Sequence, residues 1–513
     1  MESQKLPIEP RQSTYSSNES VLAYLEIDQV THESKKMPSW KRSHYRAVKN
    51  WLSRYKPQPH DSQLKQLRGC LEAFHHLCEV EAWDKAAALV SGGTMLKVSL
   101  QTLNKSENTD SIEQFHVQLG IFGLYKEQIN LYQRLLGKLD PEWDTICLNG
   151  SGLAYRALGN YHQSIELHQQ QLLLAQEIGD RQSEENALCN LGNVYGSLEE
   201  YGEAIDRCQQ ALKIAHQVSN LKGKSQILGN IGVIYRLLGD YRQALTYHIQ
   251  QLRIAQKIDD RGCFGNALGN LGIVYYLLGD YQLSVEHLQE SLLIASQRGN
   301  RIEEASVLGS LGNAYCALQD YSTALDYLHQ QLELSTEIGF LEGKEKALGN
   351  LAVVYHSQGE FAQAIDYHQK KLVLAKQLED RQGEANTLTN LGNTYAYQGE
   401  YEKAIECHKQ SLAISAGLKD NFAAAAAIHN LSDAYRLRQD FAQAVSMGMR
   451  SLHIFDCINS PQVDIAMMTL SKIALEIGIE EYVTHIEEQL QAIAQQEGGQ
   501  QAVDRLRELL FEN

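Results

Sequence analysis

The chain is predicted to be all-α, a solenoid of stacked helical pairs, and three observations predict it. A tyrosine recurs at positions 155, 195, 235, 275, 315, 355, 395 and 435, a constant step of 40 residues. Within each period the apolar residues keep a helical spacing, bounded by residue types that stop one helix and start the next. Proline is scarce (7 in 513 residues), so little interrupts a helix. A fixed period of this length marks supersecondary units that bury their apolar faces only against their neighbours.

One unit shows the logic. Ile227, Leu228, Ile231, Ile234, Tyr235 and Leu238 fall at helical spacing. Gly239 stands where a left-handed residue ends that helix. Asp240 can cap the next one, with Gln243 three residues on as a partial capping box. Leu245, Ile249, Leu252 and Ile254 give the second helix its buried side. Asp260 closes the unit, and Asp180, Asn220, Asn300, Asp380 and Asp420 hold the same slot elsewhere. Gly192, Gly232, Gly272, Gly312 and Gly392 recur inside the first helix, opposite Ala204, Ala244, Ala324, Ala364, Ala404 and Ala444 of the second. A glycine inside a helix costs roughly 1 kcal/mol relative to alanine, so its recurrence predicts close backbone approach there.

Along the chain, residues 1–37 are polar and are expected to be a disordered tail. Residues 38–60 form a basic amphipathic helix, with Trp40, Tyr45, Val48, Trp51, Leu52 and Tyr55 among Lys41, Arg42, Arg46, Lys49, Arg54 and Lys56, ended by Pro57 and Pro59. Two readings of it stand: a cap on the first unit, or a contact with nucleic acid or an anionic membrane surface. Degenerate units fill 64–140, where Trp83 and Ala86 imitate Tyr241 and Ala244, and Phe122-Gly123-Leu124-Tyr125 imitates Leu238-Gly239-Asp240-Tyr241. Regular units run from 142 to 458, and 459–513 reads as capping helices.

The bulk composition narrows the function classes. The formal net charge of -17 argues against general nucleic-acid binding. Nine cysteines without a Cys-x-x-Cys pair read as small buried residues in a reducing compartment. No apolar run is long enough to cross a membrane, and the first residues lack a secretion segment, so a cytoplasmic location is expected.

Leu271-Gly272-Ile273-Val274-Tyr275, followed by Gly279-Asp280-Tyr281 and Ser284, resembles the tetratricopeptide repeat, and the likeness spans 142–458. The usual unit has 34 residues. The longer one here is similar to Pins/LGN polarity adaptors and kinesin light chains, and implies six extra residues in the second helix and its turn. Tyr247-His248-Ile249-Gln250-Gln251-Leu252 and Gly179-Asp180-Arg181 look most like the Pins/LGN form. Those adaptors carry G-protein-binding motifs after the repeats, and 459–513 contains none, so that activity does not carry over. The N-terminal segment also looks like segments beside NTPase or protease domains of bacterial signalling proteins. The resemblance implies a right-handed superhelix whose first helices line a concave wall, and a non-catalytic scaffold or adaptor that holds a partner peptide or helix there. A regulatory sensor that controls a separate kinase, protease or NTPase is the alternative.

Helical geometry picks the wall residues. With Leu188, Leu191 and Tyr195 in the core stripe, Asn186, Cys189, Asn193 and Gly196 lie about 120° away. Asparagines fill two registers, Asn193, Asn313 and Asn393 in one, Asn190, Asn230, Asn270, Asn350, Asn390 and Asn430 in the other. An amide both donates and accepts, so a ladder of them can pair with a peptide backbone. The second register reads equally well as hydrogen bonding between repeats. Arg156, Arg236 and Arg436 share a further position with Tyr276 and His356, and suit a carboxylate or phosphate on the partner. Val233, Ile273 and Val353 add an apolar floor. The ligand so described is a peptide with apolar anchors and acidic flanks.

Other chemistry finds no support in the motifs. His168, His248, His368 and His408 recur one per repeat, too far apart to share one metal ion. Gly223-Lys224-Ser225 lacks the earlier glycine and the strand of a phosphate-binding loop. No cofactor or catalytic site is expected.

Overall fold

The computed structural model describes Leu22, Leu25, Ile27 and residues 37–57, 62–91, 115–121, 123–495 and 499–511. No strand occurs among the described residues. The chain divides into two compact units, 1–303 with 336–341, and 304–335 with 342–513.

Unit 1 opens with α1 (Ser39–Arg54), α2 (Gln63–Glu79) and α3 (Trp83–Ser91), followed by α4 (Phe115–Ile121) and α5 (Tyr125–Leu135). α1 packs on α2 and buries Tyr45, Val48 and Leu52. The aromatic side of α1 lies on α2 as well: Tyr55 Oη donates to the Lys65 carbonyl at 2.8 Å, and the Arg68 guanidinium covers the Trp51 ring. Leu22, Leu25 and Ile27 are buried in this same core, beside Phe74, Leu77 and Leu119. The expectation of a disordered polar tail over 1–37 is therefore corrected at those three positions, which are buried. A few apolar residues in a polar segment give no periodicity, yet each can fill a gap in a neighbouring core. The rest of 1–36, Pro59, Phe122 and 92–114 lie outside the described residues.

The regular pairs of unit 1 are α6 (Pro141–Ala157) with α7 (Tyr161–Ile178), α8 (Arg181–Ser197) with α9 (Tyr201–Gln217), α10 (Leu221–Leu237) with α11 (Tyr241–Lys257), and α12 (Arg261–Leu278) with α13 (Tyr281–Gln297). Unit 2 takes up α14 (Arg301–Ala317) from Glu304 and continues through α15 (Tyr321–Glu337), α16 (Leu341–Ser357), α17 (Phe361–Gln377), α18 (Arg381–Gln398), α19 (Tyr401–Gly417), α20 (Asn421–Leu437) and α21 (Phe441–Cys457). It ends in α22 (Val463–Ile477), α23 (Ile479–Ala494) and α24 (Gly499–Phe511). α10 and α11 are equal, 17 residues each, so the extra length is not concentrated in the second helix.

The recurring tyrosine has a backbone role. Asp240 N–H donates to the Tyr235 carbonyl at 2.9 Å, and Gly239 N–H to the Arg236 carbonyl at 3.1 Å. This is a Schellman closure, which requires a left-handed residue at Gly239 (φ +84°). The same bond to the tyrosine carbonyl recurs from Asn160, Glu200, Asp280, Asp320, Glu360, Glu400 and Asp440. Where glycine is missing, Glu199, Gln319 and Gln439 take the left-handed conformation instead.

The helix starts are as expected. Asp240 Oδ1 accepts from Gln243 N–H at 3.0 Å, Asn220 Oδ1 from Gly223 N–H at 2.9 Å, and Asp380 Oδ1 from Gly383 N–H at 2.9 Å. The glycine inside the first helix meets more than the small residue of the second. A Cβ on Gly232 would lie 2.5 Å from the His248 ring, and one on Gly312 2.5 Å from Leu328. Backbone thus packs on a large side chain, and the fully buried alanines lie alongside.

Candidate ligand-binding wall

In unit 1 the first helices α6, α8, α10 and α12 lie side by side, each touching the next in the series. Their wall register reads Leu153, Asn193, Val233 and Ile273, all half-buried. In unit 2 it reads Asn313, Val353, Asn393 and Asp433, with Val353 exposed. The side-chain amides of Asn193, Asn313 and Asn393 have no partner among the described residues.

The second asparagine register behaves differently. Asn190 Nδ2 donates to Asn149 Oδ1 at 2.7 Å, and Asn230 Nδ2 to Cys189 Sγ at 3.0 Å. Both bonds reach back to an acceptor in the preceding repeat and occupy the asparagine's own donor. Asn270, Asn350 and Asn390 make no such bond, because the residues 41 positions earlier are Gly229, Gly309 and Gly349, which offer no side chain.

The arginine register divides sharply. Arg156 and Arg236 are half-buried and have no carboxylate partner among the described residues. Burial lowers the pKa of both guanidiniums, with Tyr161 and Tyr241 nearby working the other way. Arg436 is neutralised instead. Its Nη2 donates to Asp433 Oδ1 at 2.7 Å and its Nη1 to Glu476 Oε1 at 2.5 Å. Burial opposes that charge, but the two carboxylates outweigh it and raise the pKa.

Beside the unpaired arginines lie buried imidazoles. His168 Nδ1 is 3.1 Å from Gln171 Oε1, and His248 Nδ1 is 3.3 Å from Gln251 Oε1, while both Nε2 atoms lack a partner among the described residues. Burial takes both pKa values down to about 4, and Arg156 and Arg236 add to the fall. These histidines therefore pack as neutral rings against the glycines of the first helices.

In unit 2 His356 gathers aromatic neighbours. Its ring lies 4.9 Å from that of Tyr397, edge to face, and 5.4 Å from Phe361, and its Nδ1 is 3.3 Å from Thr394 Oγ1. Tyr276 in unit 1 leans on Tyr281 at 5.6 Å. Phe361 and Tyr397 are neighbours of His356 that the registers missed, while Thr394 is buried beneath it. Phe361 had a signal, since an aromatic opens every second helix from Tyr161 to Phe441. Tyr397 had none, because its register otherwise holds alanine, serine and leucine.

No helix of the described residues is long and apolar enough to cross a membrane. Against known proteins, the family model for the tetratricopeptide repeat matches residues 144–217, 223–297, 264–337, 303–377, 343–416 and 383–456. No curated protein matches the chain. Among solved structures it is similar to the quorum sensor NprR from B. thuringiensis, at 15% identity over 68% of this chain and 99% of that chain, TM-score 0.47. It is similar to a STAND signal transduction ATPase with a tetratricopeptide repeat sensor from Pyrococcus horikoshii, at 18% identity over 77% of this chain and 55% of that chain, TM-score 0.45. It is also similar to BtubC from P. vanneervenii, at 20% identity over 43% of this chain and 92% of that chain, TM-score 0.39.

Proposed function

The chain belongs to the tetratricopeptide repeat family, and from that premise we propose that it is a non-catalytic binding protein that holds an extended acidic peptide along the wall of its first unit. The observation that carries this reading is the pair Arg156 and Arg236, two half-buried cations without carboxylates in a chain of net charge -17. Desolvated guanidiniums without partners cost stability and gain most from an incoming anion. Asn193 stands between them with a free amide, and Val233, Ile273 and Tyr276 extend an apolar surface from Arg236 onward.

The spacing sharpens the ligand. Packed helices are about 8–10 Å apart, so arginines two first-helices apart stand roughly 16–20 Å from each other. An extended chain rises about 3.3 Å per residue, which puts the two acidic side chains about five or six residues apart. An asparagine amide between them suits the peptide backbone whatever its side chains.

The test is fluorescence anisotropy with labelled extended peptides carrying two glutamates at varied separation, and glutamine versions as controls. A separation of about five or six residues is expected to bind best. Each charge-assisted bond contributes about 1.5–3 kcal/mol, so Arg156→Ala with Arg236→Ala should weaken binding by about 100-fold or more while the helical circular dichroism stays unchanged. Equal affinity in the double variant would overturn the reading.

A further inference from the structure

The solvent face of α22 carries three large apolar side chains. Ile465, Met468 and Leu475 lie within an arc of about 80° at 100° per residue, and are 46%, 59% and 86% exposed. Ile479, just past the helix break at Gly478, adds a fourth side chain at 67%. The opposite face of the same helix is already satisfied, with Ala466, Leu470 and Ile473 buried in the core of the second unit. A helix with neighbours on one side needs only one apolar stripe. A second set of large exposed apolar side chains on one face marks a contact surface.

The margins of this stripe are acidic. By the same helical angle, Asp464 stands about 20° outside one edge and Glu476 about 20° outside the other. Glu480 and Glu481 follow beside Ile479, and Asp433 comes from α20, where Arg436 ties it to Glu476. Lys472 lies within the stripe and Arg436 offsets part of the charge of Asp433 and Glu476, against which stand Asp464, Glu480 and Glu481, with no lysine or arginine paired to them among the described residues. Carboxylates therefore outnumber cations around it.

We propose that this face docks a basic amphipathic helix of a partner protein, its apolar side chains at i, i+3 or i+4 and i+7 laid along Ile465, Met468 and Leu475, and its lysines or arginines against Asp464 and Glu480. Complementary charge selects that occupant over an acidic or neutral helix. A second copy of this chain fits less well, because α1, its N-terminal basic amphipathic helix, already has its apolar face buried on α2. The surface is separate from the arginine wall of the first unit and stands or falls without it.

The experiment uses the full chain and a fluorescein-labelled Leu/Lys amphipathic helix, with the Leu/Glu helix of the same pattern as control, read by anisotropy. The Leu/Lys helix is expected to bind and the Leu/Glu helix not. Leu475→Glu should weaken binding by about ten-fold or more, although its added negative charge would strengthen any non-specific attraction. Asp464→Lys should weaken it as well. Leu475 is exposed, so an unchanged circular dichroism spectrum is expected to accompany the loss. Failure of the Leu/Lys helix to bind, undiminished binding by Leu475→Glu, or a wild-type dimer in the ultracentrifuge that Leu475→Glu dissociates would each overturn the proposal, the last by showing a second copy on the face.

Discussion

Arg236 in the first unit and Arg436 in the second occupy the same register of the same kind of helix, and their surroundings are opposite. Around Arg236 the residue three positions earlier is Val233, and no carboxylate pairs with it among the described residues. Around Arg436 that residue is Asp433, and Glu476 closes on the other side. A repeat array thus reuses one position as a site open to an incoming anion in one place and as internal neutralisation in another. One side chain a turn away decides which. The histidines follow the division: Arg156 and Arg236 push His168 and His248 further toward the neutral form, whereas Asp433 works the other way on His408.

The comparison breaks most directly at Val233. Val233→Asp would give Arg236 the carboxylate that Asp433 gives Arg436. Loss of one free guanidinium and repulsion of an acidic ligand together should lower affinity for the diglutamate peptide by about 100-fold, or roughly 2.7 kcal/mol. Anisotropy reads the affinity, and no change would mean that Arg236 does not face the ligand.

Acid should expose the buried imidazoles next. The folded values of His168 and His248 are near 4, against about 6.5 when unfolded. The stability they lend is therefore complete above pH 6.5 and is lost as pH falls from there toward 4. At pH 5 the loss is about 2 kcal/mol per imidazole. Leucine already fills this register at Leu288 and Leu328, packed on Gly272 and Gly312. His248→Leu is thus expected to fold and to recover about that amount in urea melts at pH 5. Equal acid sensitivity in the variant would contradict a buried neutral ring.

A smaller effect separates binding from stability. Replacing Arg236 with methionine removes a desolvated cation and keeps the apolar stem, so thermal stability should rise by on the order of 1 kcal/mol even as ligand is lost. The corresponding Arg436→Met should be destabilising, since it strands Asp433 and Glu476. Melting temperatures of the two variants moving in the same direction would erase the distinction between the units.

The smallest change leaves both walls intact. Glu199→Gly and Gln439→Gly put glycine at the left-handed turn that Gly239 already serves. Each is expected to gain up to about 1 kcal/mol, the left-handed strain relieved less the extra freedom of the unfolded chain. Unchanged peptide affinity alongside the gain would show that turn strain and ligand binding are independent.

Much of the architecture was legible before any coordinate. The tyrosine period, the caps at Asn220, Asp240 and Asp380 and the left-handed Gly239 depend on residues within a turn or two of one another, where backbone hydrogen bonding leaves few choices. The registers were likewise enough to bring Arg156, Asn193 and Arg236 onto neighbouring first helices. They could not say which polar groups on those helices were already taken. Asn190 and Asn230 bond to the repeat before them, and Asn270 does not, only because Gly229 lacks a side chain.

Local chemistry in the sequence therefore determined the helices, their ends and the direction each face points. The tertiary structure alone decided how those faces were occupied. It buried Leu22, Leu25 and Ile27, which have no period to announce them, paired Arg436 with Glu476 from 40 residues away, and left Leu475 in water. The physical reason is reach. A helix is made by contacts three and four residues apart, but a charge or a methyl group is satisfied by whatever the packing brings within a few ångströms, and that depends on the length and rotamer of side chains from helices far along the chain.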